Sequence, residues 1–142
     1  MPIAQLNIAT AKYPLDQPEL KDFVDNLDRI NHIAEQSPGF IWRLKDDSGN
    51  ATNIQLFDNP NVIVNMSVWK DVAALKHFMF KTDHLAIMKR KREWFIPANE
   101  ATYVLWEVAD GHVPTLEEAM DKLQKLRTHG ESAEAFSFKS AQ

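Results

Sequence analysis

Two stretches of this chain alternate in side-chain character with period two, and this narrows what the chain can fold into. In the first, Leu6 and Ile8 point one way, and Gln5, Asn7 and Ala9 point the other. In the second, Val62, Val64, Met66 and Val68 share a face, and Ile63, Asn65, Ser67 and Trp69 share the opposite one. Successive side chains on a strand leave opposite faces of the sheet, so both stretches read as central β-strands with one oily face and one amide-bearing face. A buried amide or hydroxyl without a partner costs about 1–3 kcal/mol, so such groups are satisfied by protein, water or a ligand. Amides placed mid-strand beside an aromatic point to a lined pocket. A buried hydrogen-bond network, or a wet interface with a second subunit, accounts for the same pattern.

The remaining elements follow from periodicity and punctuation. Residues 3–11 form the first strand. Asp16 is the expected cap of a helix with Pro18 near its first turn. Leu20, Phe23, Val24, Leu27, Ile30, Ile33 and Ala34 recur at helical spacing until Ser37-Pro38-Gly39 stops them. Phe40–Lys45 is a strand with Phe40, Trp42 and Leu44 on one face. Asp46–Asn50 is a turn, Thr52–Phe57 a weaker strand, and Asp58–Asn61 another turn. After the strand at 62–69, Asp71 caps a helix to about Phe80. A second helical piece runs from Thr82 or Asp83 to Trp94, and Pro97 ends it. Thr102–Ala109 is the last strand. Thr115 and Glu118 have capping-box spacing before the stripe Leu116, Ala119, Met120, Leu123 and Leu126, which Gly130 closes. Residues 131–142 are a tail, packed or flexible, whose Phe136 and Phe138 can fold back on the body.

The order strand, helix, strand, strand, helix, strand is the split βαβ, ferredoxin-like arrangement of an α+β protein, here with an extra hairpin strand and a C-terminal helix. Such a sheet sets its first and third core strands side by side, which brings Asn7 and Asn65 together. With 142 residues the chain fits one domain over 1–142.

Composition removes several functions. With no cysteine there is no disulfide, thiolate catalysis or Cys-type zinc or iron–sulfur site. Only four glycines are present, in no phosphate-loop pattern, and there is no Gly-x-Ser-x-Gly elbow. A net charge of −4 argues against nucleic acid as a partner, and Lys89-Arg90-Lys91-Arg92 spreads around a helix rather than forming a basic field. The histidines lack metal-site spacing, so no metal is expected. No stretch has the length of a membrane span. Residues Met1–Gln5 carry neither a basic region nor an apolar run, so the expectation is a cytoplasmic protein with no leader.

The candidate site is built on Asn7, Asn65, Ser67 and Trp69, a polar wall that orients a ligand inside an otherwise apolar pocket. Asn31 falls within the inward stripe of the first helix. His84 shares a helical face with Met88, Lys91 and Phe95, and a half-buried imidazole serves as acid, base or ligand near neutral pH. The tryptophans fill the core, with Trp106 a candidate to line the pocket. The bland readings are a structural histidine and an internally satisfied polar network.

Several stretches together resemble a known family. These are Ala4–Ala9, Asn26–Asn31, Ser37–Leu44, Val64–Trp69, His84, Arg92–Phe95, Gly111–Thr115 and Phe136–Phe138. They are similar to an uncharacterised bacterial family of the dimeric α+β-barrel superfamily, related to antibiotic-biosynthesis-type monooxygenases and haem-degrading enzymes. The resemblance implies a ferredoxin-like homodimer whose sheets pack into a barrel, with a pocket between each sheet and its own helices. It likens Asn7 to a first-strand asparagine of the haem-degrading members. It likens Asn65 with Trp69 to an asparagine–tryptophan pair of a quinone-forming oxygenase, and His84 to a helical histidine of the group. The function it implies is cofactor-independent, monooxygenase-like chemistry on an aromatic or quinol-type substrate. Asn65, Trp69 and His84 would be catalytic, and Asn7, Asn31, Ser67 and Trp106 ligand-binding. A non-catalytic ligand-binding or structural homodimer, and haem binding or degradation, are the alternatives.

Overall fold

The computed structural model describes residues 1–45 and 61–140. The expected hairpin strand Thr52–Phe57 and its flanking turns lie outside the described residues, except for Asn61 at the end of the second turn. Four strands, β1 (Ile3–Thr10), β2 (Phe40–Arg43), β3 (Val62–Trp69) and β4 (Tyr103–Glu107), form one antiparallel sheet in the order β2-β3-β1-β4. This is the ferredoxin-like order, with β1 and β3 at the centre. Asn7 pairs directly with Asn65 on one side and with Tyr103 on the other.

The helices begin and end for local reasons. Pro18 opens a single 3-10 turn, Pro18–Leu20, which leads into α1 (Lys21–Gln36). Because Pro18 takes the first-turn position, the residue before it, Gln17, is the cap, and the expected cap Asp16 instead accepts a bond from the Gln17 side chain. At the other end Ser37 is extended, as the residue before a proline must be, and its hydroxyl donates to the Ile33 carbonyl at 2.6 Å. Asp71 caps α2 (Val72–Lys81) by accepting the Ala74 N–H at 2.8 Å. The next helical stretch is not continuous. It breaks at Arg90 into α3 (His84–Lys89) and α4 (Lys91–Trp94), and Arg90 bonds Asp22 of α1 and Glu93 while lying over the Trp94 ring. Thr115 caps α5 (Leu116–His129), and Gly130 ends it at a positive φ.

Strand β2 departs from simple alternation. Phe40 pairs with Trp69, yet Trp42 pairs with Val68, so one extra residue, the exposed Ile41, bulges from the strand. Phe40 therefore packs on the Trp69 side of the sheet, whereas Trp42 and Leu44 pack on the opposite side. The expectation that all three share a face is corrected by that bulge.

Both faces of the sheet are covered within the one chain. Leu6, Val64, Met66, Val68, Val104 and Trp106 are buried against Ala119, Leu123 and Leu126 of α5. The other face lies under α1 to α4. It divides into one cluster around Trp69, Leu105, Leu75, Phe78 and Ala34, and another around Ala11, Leu20 and Trp94. The resemblance implies a partner sheet over one face. In this chain α5 packs on the face that carries Leu6, Met66 and Val104.

Candidate functional site

The amide-bearing face looks toward α1–α4, and its polar groups divide into a sealed network and an accessible row. Gln5 is the hub of the network. Its Nε2 donates to Asn65 Oδ1 at 2.6 Å and to Ser67 Oγ at 2.8 Å, and Trp69 Nε1 donates to the same Ser67 oxygen at 2.8 Å. Gln5, Ser67 and Trp69 are 8 %, 7 % and 0 % exposed, so these groups satisfy one another inside the core. Trp69 is further enclosed by Phe40, edge-on at 5.4 Å, and by Phe78, stacked at 5.1 Å.

The neighbouring row across the sheet is open. Asn65 is exposed although it sits midway along an inner strand and faces the helices, and its amide nitrogen makes no hydrogen bond among the described residues. Asn7 beside it is half-buried, and its side chain likewise has no protein partner among them. Tyr103, next in the row, is half-buried. The row lies between the two helix-side clusters, and the exposure of Asn65 shows that water reaches it. Two further depressions lie away from it. One, of about 260 Å³, is lined by Glu35 and residues 40–45; the other, of about 310 Å³, lies beside Gly39, Asp71 and His77.

The other predicted site residues are dispersed. Asn31 on α1 is half-buried and makes no side-chain hydrogen bond among the described residues. His84 opens α3. Its ring packs on Phe78 at 4.8 Å, and Nδ1 lies 3.3 Å from the Met79 carbonyl. Phe78 thus stands between His84 and Trp69. Burial lowers the His84 pKa, against a smaller raising effect of the Met79 carbonyl, so the imidazole is neutral at pH 7. With Nδ1 protonated toward that carbonyl, Nε2 is the basic atom. Trp106 does not join the site. It lies on the α5 face of the sheet and donates to Glu118 Oε2 at 2.8 Å. Its position next to Leu105 gives it the opposite parity, a signal already present in the alternation of β4.

Sequence reasoning passed over two participants. Gln5 was visible on the amide face but not as its hub, because its role depends on the register that sets it beside Ser67. Tyr103 enters the row only through the β1–β4 pairing. No cluster of three or more metal-ligating side chains occurs among the described residues, and no helix among them is long and apolar enough to cross a membrane.

Sheet order and helix placement define an α+β protein of ferredoxin-like architecture. Within that class, the chain belongs to the family described as a domain of unknown function (DUF3291), whose model matches residues 2–142. Among solved structures it is similar to a conserved protein from Methanosarcina mazei Go1, with 16 % identity, 77 % of this chain and 94 % of that one covered, and a TM-score of 0.56. It is also similar to SnoaB, a cofactor-independent oxygenase from Streptomyces nogalater, with 17 % identity, 77 % and 94 % coverage, and a TM-score of 0.50. A third is a putative antibiotic biosynthesis monooxygenase from Chloroflexus aurantiacus, with 14 % identity, 80 % and 98 % coverage, and a TM-score of 0.50. At these identities the likeness is one of fold. No curated protein matches the chain.

Proposed function

We propose that the protein binds a small aromatic or quinol-type molecule in a groove over the Tyr103–Asn7–Asn65 row, on the helix side of the sheet, and promotes its reaction with dioxygen without a resident cofactor. The observation that carries the binding reading is Asn65. Its amide nitrogen, in the middle of an inner strand and beside Asn7, is a hydrogen-bond donor that no described residue takes up, although Gln5 occupies its oxygen. The flanking clusters supply apolar walls for a planar ring. The oxygenation reading rests on shared architecture with a cofactor-independent oxygenase and is a fold-level analogy.

In this reading the Asn65 and Asn7 amides hydrogen-bond a substrate oxygen and stabilise the negative charge that develops when the substrate loses a proton. The sealed Gln5–Ser67–Trp69 network holds Asn65 in place from beneath. Trp69 therefore acts as a support rather than as a contact. His84 Nε2 is the neutral base that takes up the proton, at the edge of the site beyond Phe78.

The test is oxygen uptake with 1,8-dihydroxyanthrone. Its ring methylene is oxidised to a carbonyl, one oxygen atom enters the product and the other leaves as water. The expected result is a rate above the spontaneous one that Asn65→Ala lowers by about tenfold or more. A wild-type rate equal to the spontaneous one ends the oxygenase reading. A Soret shift on titration with haem would favour the haem reading instead.

A further inference from the structure

Tyr103 lies on the helix side of β4, beside Asn7. Its hydroxyl oxygen accepts the backbone N–H of Phe138 at 3.3 Å. That bond occupies a lone pair and leaves the phenolic proton available, and no described residue accepts it.

The segment that carries Phe138 is fixed at three points. Leu105 and Phe136 exchange backbone hydrogen bonds of 2.7 and 2.9 Å, which tie the segment to the edge of β4. Glu131 Oε1 accepts the Ser137 N–H at 2.8 Å and the Ser137 hydroxyl at 3.0 Å. The Phe138 ring rests on Tyr103 and on Phe80 of α2, each at 5.7 Å, with the Lys76 ammonium 5.9 Å from its centre. Residues 131–140 therefore reach from the sheet edge to α2, beside the row Tyr103–Asn7–Asn65.

We propose that Tyr103 is a ligand-binding residue that donates its phenolic proton to a carbonyl or phenolate oxygen of a planar aromatic ligand, and that Phe138 positions it. The inference rests on the small-molecule reading of the groove. It adds a donor of different chemistry from the two amides and makes the C-terminal segment one wall of the site. It also restricts the ligand class, since an aromatic without an acceptor oxygen gains nothing from the phenol.

The experiment titrates the full chain with 1,4-naphthoquinone and, separately, with naphthalene, followed by tryptophan fluorescence. The chain has no cysteine, so the quinone meets no thiol. The wild-type protein should bind the quinone more tightly than the hydrocarbon. Tyr103→Phe should weaken quinone binding roughly fivefold, the effect of one neutral hydrogen bond, and leave naphthalene binding unchanged. Phe138→Ala should lower quinone affinity, and Phe138→Tyr, which restores the ring, should recover it. Unchanged quinone affinity in Tyr103→Phe, or an equal loss for both probes, overturns the role of the phenol. Unchanged quinone affinity in Phe138→Ala overturns the positioning role. If the wild-type protein binds neither probe, the groove reading itself fails, an outcome distinct from either of these.

Discussion

The indole nitrogen of Trp106 donates to Glu118 Oε2 at 2.8 Å, and the other carboxylate oxygen lies 2.7 Å from His112 Nε2. One carboxylate thus links the sheet, the first turn of α5 and the loop that precedes it. Desolvation raises the Glu118 pKa, but the bonds to His112 and Trp106 outweigh it and hold the carboxyl below its ordinary value. Glu118→Ala strands a buried indole N–H and should cost about 1–3 kcal/mol in denaturant unfolding. Glu118→Gln keeps an acceptor and should cost less. Because the folded pKa is depressed, the carboxylate's stabilisation is present above its unfolded value and disappears as pH falls through the folded one. Stability curves for wild type and Glu118→Gln should therefore converge in acid.

Ser67 is the shared acceptor for Gln5 and Trp69. Ser67→Ala leaves two buried donors with an empty position between them. The expected loss is about 1–3 kcal/mol for each donor that finds no water, measured by the denaturation midpoint. A shift in tryptophan emission should accompany it, since Trp69 reports on that bond. A variant as stable as wild type would show that the network contributes little to holding Asn65.

His84 gives the opposite pH sign to a paired histidine. Its folded pKa lies below the ordinary value of 6.5 because burial disfavours the charged ring. Between those two values the unfolded chain binds more protons than the native one, so stability falls as pH drops through that window. His84→Gln should flatten the decline between pH 7 and 5, and an NMR titration of the imidazole should give a midpoint below 6.5.

Gly39 has a φ of +86°, and a Cβ placed there would sit 2.5 Å from the Ala74 Cβ. Gly39→Ala should cost about 1–3 kcal/mol from backbone strain, with the steric conflict in addition. Adding Ala74→Gly should recover the steric part alone, which a double-mutant comparison of unfolding free energies can read.

Much of the fold was legible because it rests on local periodicity. The parity of β1 and β3 sorts Leu6 and Met66 from Gln5 and Ser67, and Asp71, Thr115 and Gly130 mark helix ends by their own chemistry. The misreadings occur where a non-local contact overrides a local pattern. The bulge at Ile41 moves Phe40 to the other face because β3 sets the register of β2. The break at Arg90 coincides with its bonds to a helix far away in sequence. In the site, the pairing of Asn7 with Asn65 followed from the expected topology. The hub role of Gln5, the side on which Trp106 lies and the distance of His84 from the row depend on packing between elements, which a linear pattern does not carry.

Helix α5 has a consequence for how the protein holds together. With Leu123 and Leu126 in one buried cluster with Leu6, Met66 and Val104, the chain covers this face of the sheet from its own length. Folding is then expected to be a unimolecular event. The melting temperature should be the same in dilute and concentrated samples, as it is for proteins whose core needs no neighbour to complete it.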